Sequence, residues 1–374
     1  MNPPPVVSAG RAPRTGRCWA PSAAVALTAV VAGGCGSGAV ARTNVARADV
    51  FSVRVDGSDL RNLTQTPRRW ESQVSVSPDG SHIAFVRSGL PDRGGRLVVV
   101  DADGEGARDL GPAALSPDAA APPAWSPDGR ALAFTNSVAC DEVVCGTWEV
   151  WVVDVASRRR RRITRHGMSP SWSPDGRRLV YGGNLGTGWT VKGYFTFATD
   201  VVIQDLGSGR ARTLGRGATP LWAPHGDWIA YVGNDGEQHR LRVVRSDGSD
   251  RRTVGTAANA PRWTRDARLV FVSMPPDRDA ATVVSSSPPG GRRRTRLLAG
   301  DFSGAFAVSS DHRRAAWTRF VYSRQESRSH DDLLVGPIDR SRGRVVVAGD
   351  PGTRIGNVVW TRRGRIVFSA WRVS

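Results

Sequence analysis

The chain has 374 residues, 40% of them hydrophobic, and a formal net charge of +18 carried almost wholly by arginine, Lys192 being the only lysine. Six scattered histidines and four cysteines offer no clustered ligand set for a metal, and no G-x-S-x-G elbow for a serine nucleophile occurs. The basic balance has two readings, the arginine bias of a GC-rich genome or an anionic partner, and no nucleic-acid recognition motif accompanies it.

Arg11, Arg14 and Arg17 precede an apolar run from Ala23 to Gly34 that is too short to span a bilayer comfortably. Basic residues, a short apolar stretch and small residues after it form a secretory signal. Residues 1–35 are therefore read as a signal peptide with a lipobox-like end, 36–47 as a flexible linker and 48–374 as the folded domain. The Ala32-Gly33-Gly34-Cys35 end resembles the lipobox of bacterial lipoproteins, which implies lipidation of Cys35; ordinary cleavage near Ala39 to Ala41 is the alternative. Either way the domain is expected outside the cytoplasm. A lipid anchor at the outer face of the cytoplasmic membrane or in the periplasm, rather than a transmembrane helix, would hold it.

From Asp49 onward the sequence repeats. A strand, a turn and an apolar strand recur as SVSPDGSHIAF from Ser75, AWSPDGRALAF from Ala124, SWSPDGRRLVY from Ser171 and LWAPHGDWIAY from Leu221. RWTRDARLVF from Arg262, AVSSDHRRAAW from Ala307 and VWTRRGRIVF from Val359 complete the set, at steps of 41 to 52 residues. Pro presets φ, Asp bonds its own following backbone and Gly accepts positive φ, so these residues are turn chemistry before anything else. A second hairpin follows each copy, read most plainly at Asp49 to Thr64 and Leu241 to Val254. Four strands at this period are the signature of a propeller blade.

The expected fold is all-β: a seven-bladed β-propeller of four-stranded antiparallel blades, with six or eight blades as alternatives. The chain opens with an outer hairpin and ends with an inner one, so the N-terminal outer hairpin is expected to pair with the C-terminal inner hairpin and close the ring. W-S-P-D-G followed by an apolar triplet, then an outer strand ending in D-G and L-T, resembles the PD40 repeat of TolB-like propellers from about Ala48 to Ser374. Three copies carry the full S-P-D-G, while Arg265, Ser310 and Arg362 stand in place of Pro in later ones. The resemblance implies a propeller and a habit of protein binding. The best-known member of that family has six blades, from which a count of seven departs.

Cys140 and Cys145 lie in one connection, and export favours a local disulfide between them over a metal site or free thiols. In a meander the first and third turns share one face. Arg158, Arg159, Arg160, Arg161 and Arg162, and Arg292, Arg293 and Arg294, fall there and predict a basic face. Such a face suits an anionic lipid or a cell-wall polymer.

No catalytic constellation is found and no cofactor is expected. Asp79, Asp128 and Asp175 recur at blade spacing as turn formers, and the calcium-like DADGEG at Asp101 to Gly106 occupies an outer-turn position. The Trp125, Trp172, Trp222, Trp263 and Trp360 column is expected to pack between blades. The binding candidates lie on the opposite face: Trp189, Tyr194, Phe195 and Phe197 in the Gly182 to Thr199 connection, and Phe320 and Tyr322 in the Arg319 to Asp332 insertion. The expected function is a non-catalytic exported scaffold with an envelope protein partner. The alternative is a propeller acting on a small molecule or glycan, as lyase or lactonase, through its central channel.

Overall fold

In the computed structural model the described residues are 45–66, 69–89, 95–113, 121–138, 147–183, 199–234, 239–256, 258–264, 266–273, 282–286, 294–299, 302–311, 313–323, 328–338 and 343–373. Among them every regular element is a strand. Five separate four-stranded sheets cover 124–164, 167–216, 218–256, 258–299 and 302–347. An eight-stranded sheet combines the 353–373 and 45–62 strands with the 70–113 meander. These two halves meet through a single parallel pairing of Ala48 with Trp70.

The two ends of the chain are joined as their half-repeats require. Val45–Arg54 runs antiparallel to Arg365–Val373, from Val45 opposite Val373 to Arg54 opposite Arg365. That strand takes in the last three residues of the stretch read as linker. Pairing it with the C-terminal hairpin removes the free edge that a linear array would leave.

Apolar clusters tie each sheet to the next. Ala84, Val86 and Leu97 pack on Leu132 and Phe134; Ala133 and Val150 pack on Leu179 and Tyr181; Val180 and Val201 pack on Ile229 and Tyr231. The order continues through Leu241 with Phe271, Val270 with Phe306 and Trp317, and Ala316 and Leu333 with Ile366 and Phe368. It returns to its start where Val50 and Val367 meet Val74, Ile83 and Phe85. Alternate residues of each strand feed opposite neighbours, which is why these strands read as near-continuous apolar runs.

The repeated turn has a second layer that the Pro-Asp-Gly reading lacked. The small hydroxyl before the turn is buried and acts twice. Ser126 Oγ accepts the Ala131 N–H at 2.9 Å and donates to Asp128 at 2.6 Å. Ser77, Ser173, Ser309 and Thr264 repeat both bonds. At Asp79, Asp128, Asp175 and Asp311 the hydroxyl thereby holds the Asp carboxyl below the usual carboxylate range. Ala223 and His225 break the pattern in the 218–256 sheet.

The inner strands share a bulge as well. Gln73, Ser169, Thr219 and Asn357, each four residues before the small residue, have φ between 48° and 56°. The pairing register shifts at each of these places. A β-bulge bends its strand and increases local twist, and for Thr219, β-branched, positive φ is a strained choice. The Trp column packs between sheets as expected. Trp172 Nε1 donates to Ala124 O at 2.9 Å and Trp263 Nε1 to Leu221 O at 3.0 Å, in each case across to the preceding sheet.

Candidate binding surface

The hairpin Arg314–Ser323 and Arg328–Pro337 has ten residues in each strand, whereas the corresponding strands at His82–Ser88 and Gly95–Asp101 have seven. Its lower part is core: Thr318 and Leu333 are fully buried. The added length carries alternating residues beyond the core, with Phe320 opposite Asp331 and Tyr322 opposite Ser329. Period-two alternation puts Phe320 and Tyr322 on one side of the hairpin. Both stand exposed, Phe320 at 40% and Tyr322 at 61%.

The base beneath these rings is charged on both sides of the hairpin, its two carboxylates buried and its two guanidinium groups partly exposed. On the aromatic side, Arg354 from the neighbouring inner strand sits 5.0 Å from the Phe320 ring centroid, a cation–π contact. Its Nη2 donates to Ser329 Oγ at 2.7 Å and its Nη1 lies 3.6 Å from Asp331 Oδ1. Asp331 Oδ2 accepts the Ile355 N–H at 3.1 Å. On the other side Arg319 Nη2 donates to Asp332 Oδ2 at 2.8 Å, Asp332 Oδ1 accepts the Gly349 N–H, and His330 Nε2 lies 3.6 Å from the same oxygen. Gly349 is required here, since a Cβ would run into the Asp331 carbonyl oxygen.

A buried ion pair is weak evidence for stability, because desolvation offsets much of the attraction. What the two Arg–Asp pairs provide is geometry: Arg354–Asp331 fixes the hairpin against the 353–373 strands, and Arg319–Asp332 braces its two strands against each other. Backbone bonds extend the tie from Ser329 to Gly352 and on to Val373. The result is two large exposed rings on a rigid support, the arrangement in which aromatic residues serve as contact anchors. Among the described residues no group of three or more His, Cys, Asp or Glu could hold a metal.

Of the residues singled out from sequence, Phe320 and Tyr322 are brought together here. Trp189, Tyr194, Phe195 and Phe197, Cys35, Cys140 and Cys145, and Arg292 and Arg293 lie outside the described residues. Arg294 begins the strand Arg294–Ala299. The Arg158 to Arg162 run divides by role. Arg158 and Arg159 are exposed, whereas Arg160 lies over Phe134 and Trp151 and donates to Pro112 O at 2.6 Å, and Arg161 donates to Leu206 O at 3.0 Å. Arg162 pairs with buried Glu149. Part of the arginine excess therefore staples neighbouring sheets. Asp79, Asp128, Asp175 and Asp311, at the same level, are exposed. Arg354 was missed from sequence; its signal is a charge inside an inner strand, where the other copies mostly place small or apolar residues.

No family model matches the chain, and no curated protein matches it in sequence. Solved structures do resemble it. Oligogalacturonate lyase from Vibrio parahaemolyticus is 14% identical with a TM-score of 0.60, over 89% of this chain and 99% of that one. The β-propeller domain of the Trilobed protease from Pyrococcus furiosus is 15% identical with a TM-score of 0.54, over 79% and 88%. TolB from Acinetobacter baumannii is 16% identical with a TM-score of 0.50, and 78% of this chain spans 64% of that one. At these identities the likeness carries the fold alone: the chain has a TolB-like β-propeller fold.

Proposed function

We propose that this protein is a seven-bladed, non-catalytic propeller scaffold that works outside the cytoplasm and engages an envelope protein through the face bearing Phe320 and Tyr322. The observation that carries this reading is the exposed aromatic pair on a hairpin held by two Arg–Asp pairs whose carboxylates are buried. Seven blades are supported by dividing the eight-stranded sheet at its single parallel pair, which leaves seven four-stranded meanders in all. Export and lipid anchoring at Cys35 rest on the leader sequence, and a basic turn face meeting anionic lipid or wall polymer rests on the net charge. Among the described residues no helix is long and apolar enough to cross a membrane.

The test is retention from detergent-solubilised membranes by the full chain, by Phe320→Ala/Tyr322→Ala, and by Leu60→Ala/Val345→Ala, which removes apolar surface at the turn end. The reading requires one partner retained by wild type and by the turn-end variant but lost from the aromatic variant at unchanged melting temperature. Equal retention by all three refutes the site. A sugar or other small ligand mapped to the inner strands would turn the assignment to a channel-acting propeller.

A further inference from the structure

A second feature lies at the opposite end of the molecule, where the two ends of the chain close on each other. The 54–58 turn is tight, Arg54 N donating to Ser58 O at 3.0 Å and Gly57 N to Arg54 O at 2.8 Å. The 361–365 turn is equally fixed, Thr361 N donating to Arg365 O and Arg365 N to Thr361 Oγ1. Between them is a cleft of about 410 Å³ lined by Arg54, Val55, Asp56, Arg363, Gly364 and Arg365.

The charges in this cleft are not self-compensated. Arg54 and Arg365 are direct cross-strand partners, and like charges placed directly opposite are destabilising. Arg365 is satisfied from behind: it donates to Asp59 Oδ2 at 2.7 Å, Asp59 O at 2.8 Å and Ser52 Oγ at 2.9 Å. Asp59 is shared with Arg61 at 2.7 Å, so its single charge already serves two guanidinium groups. That leaves Arg54 a 3.6 Å approach to the same carboxylate with 61% of its side chain exposed. Arg363 is exposed and has no ion-pair partner among the described residues. Asp56, the one acid lining the cleft, bonds Ser58 N and Oγ through one carboxylate oxygen and keeps its charge, so three arginines face one carboxylate there.

We infer that this cleft is an anion site for a phosphate ester. Arg54 lines it from the 54–58 turn and Arg363 from the 361–365 turn, and a tetrahedral phosphate presents enough acceptor oxygens to bridge both, whereas one planar carboxylate face suits a single guanidinium fork. The volume falls among pockets that take small molecules, roughly 300 to 1,000 Å³. It therefore accommodates the polyol carrying the phosphate as well as the anion. A defined site of this kind goes beyond a diffusely basic face, and it stands or falls apart from the aromatic surface at the other end.

Calorimetric titration of the full chain at low salt with glycerol phosphate, with the diester glycerophosphoglycerol and with acetate tests it. The expected result is saturable one-to-one binding of a phosphate ester. It should be at least tenfold weaker in Arg54→Ala and in Arg363→Ala and unchanged in Arg313→Ala, an exposed turn arginine of the neighbouring meander. Binding of the monoester alone points to a free phosphorylated ligand. Binding of the diester as well points to a polymer or headgroup source. No saturable binding, equal loss in Arg313→Ala, or acetate bound as tightly as the phosphate esters overturns the site.

Discussion

Replacing Ser173 by Ala isolates the buried hydroxyl of the repeated turn. Ser173 is fully buried, its Oγ accepts the Arg178 N–H at 2.9 Å and donates to Asp175. In the variant the Arg178 N–H loses its acceptor at a site closed to water, while exposed Asp175 turns to solvent. An unsatisfied buried donor costs about 1 to 3 kcal/mol, so about 2 kcal/mol is expected in total. With about 2.1 cal/mol/K of unfolding entropy per residue over the roughly 260 described residues, that lowers the melting temperature by about 4 °C. Scanning calorimetry at neutral pH measures it. Ser208→Ala is the control, because Ser208 bonds Asp205 in an exposed outer turn, and it should move the midpoint by under about 1 °C. The sign with pH follows from Asp175, whose carboxyl is held down by Ser173. A depressed folded pKa gives stability that is present above the ordinary carboxylate value, about 3.9, and is lost as pH falls through the depressed one. The gap between wild type and variant should narrow in that acid range. A shift below 1 °C, or the same shift from Ser208→Ala, refutes the reasoning.

Other consequences are as direct. Installing the missing turn in the 218–256 sheet with Ala223→Ser/His225→Asp should raise the melting temperature by about 1 to 2 °C, one net hydrogen bond's worth. Trp172→Phe removes the donor to Ala124 O across two sheets and should lower it by a similar amount, with tryptophan fluorescence confirming an unchanged fold. Glu71 is fully buried beside Arg87, Thr64 and Thr66, and burial raises its carboxyl above the ordinary value. A raised carboxyl disfavours the folded state at neutral pH and recovers as pH falls through it. Glu71→Gln should therefore match or exceed wild-type stability at pH 7, and the two should converge in acid melts. Asp59, held down to about 2 by Arg61 and Arg365, works the other way: its contribution at the closure is present above about pH 4 and lost between 4 and 2.

Much of the architecture is written locally. Ser-Pro-Asp-Gly specifies a turn whatever surrounds it, because φ preferences and the short reach of Asp are properties of four consecutive residues. Regular spacing of those turns, together with an outer hairpin first and an inner hairpin last, carries the blade plan and the pairing of Val45–Arg54 with Arg365–Val373. The place of Phe320 and Tyr322 on a lengthened hairpin was legible because aromatic residues interrupted a connection longer than the repeat needs. Other features depend on distances between residues far apart in the chain. Arg354 reaches Phe320 and Asp331 only because neighbouring sheets bring their strand ends to one level. Arg54 meets Arg365 only once the ends pair, and Arg160 and Arg161 act as staples because carbonyls of adjacent sheets come within reach. Charge along a sequence shows how many cations a surface holds. Which of them are neutralised, stacked or left facing a cleft is fixed by the tertiary structure, since electrostatic energy follows separation in space and exposure to water.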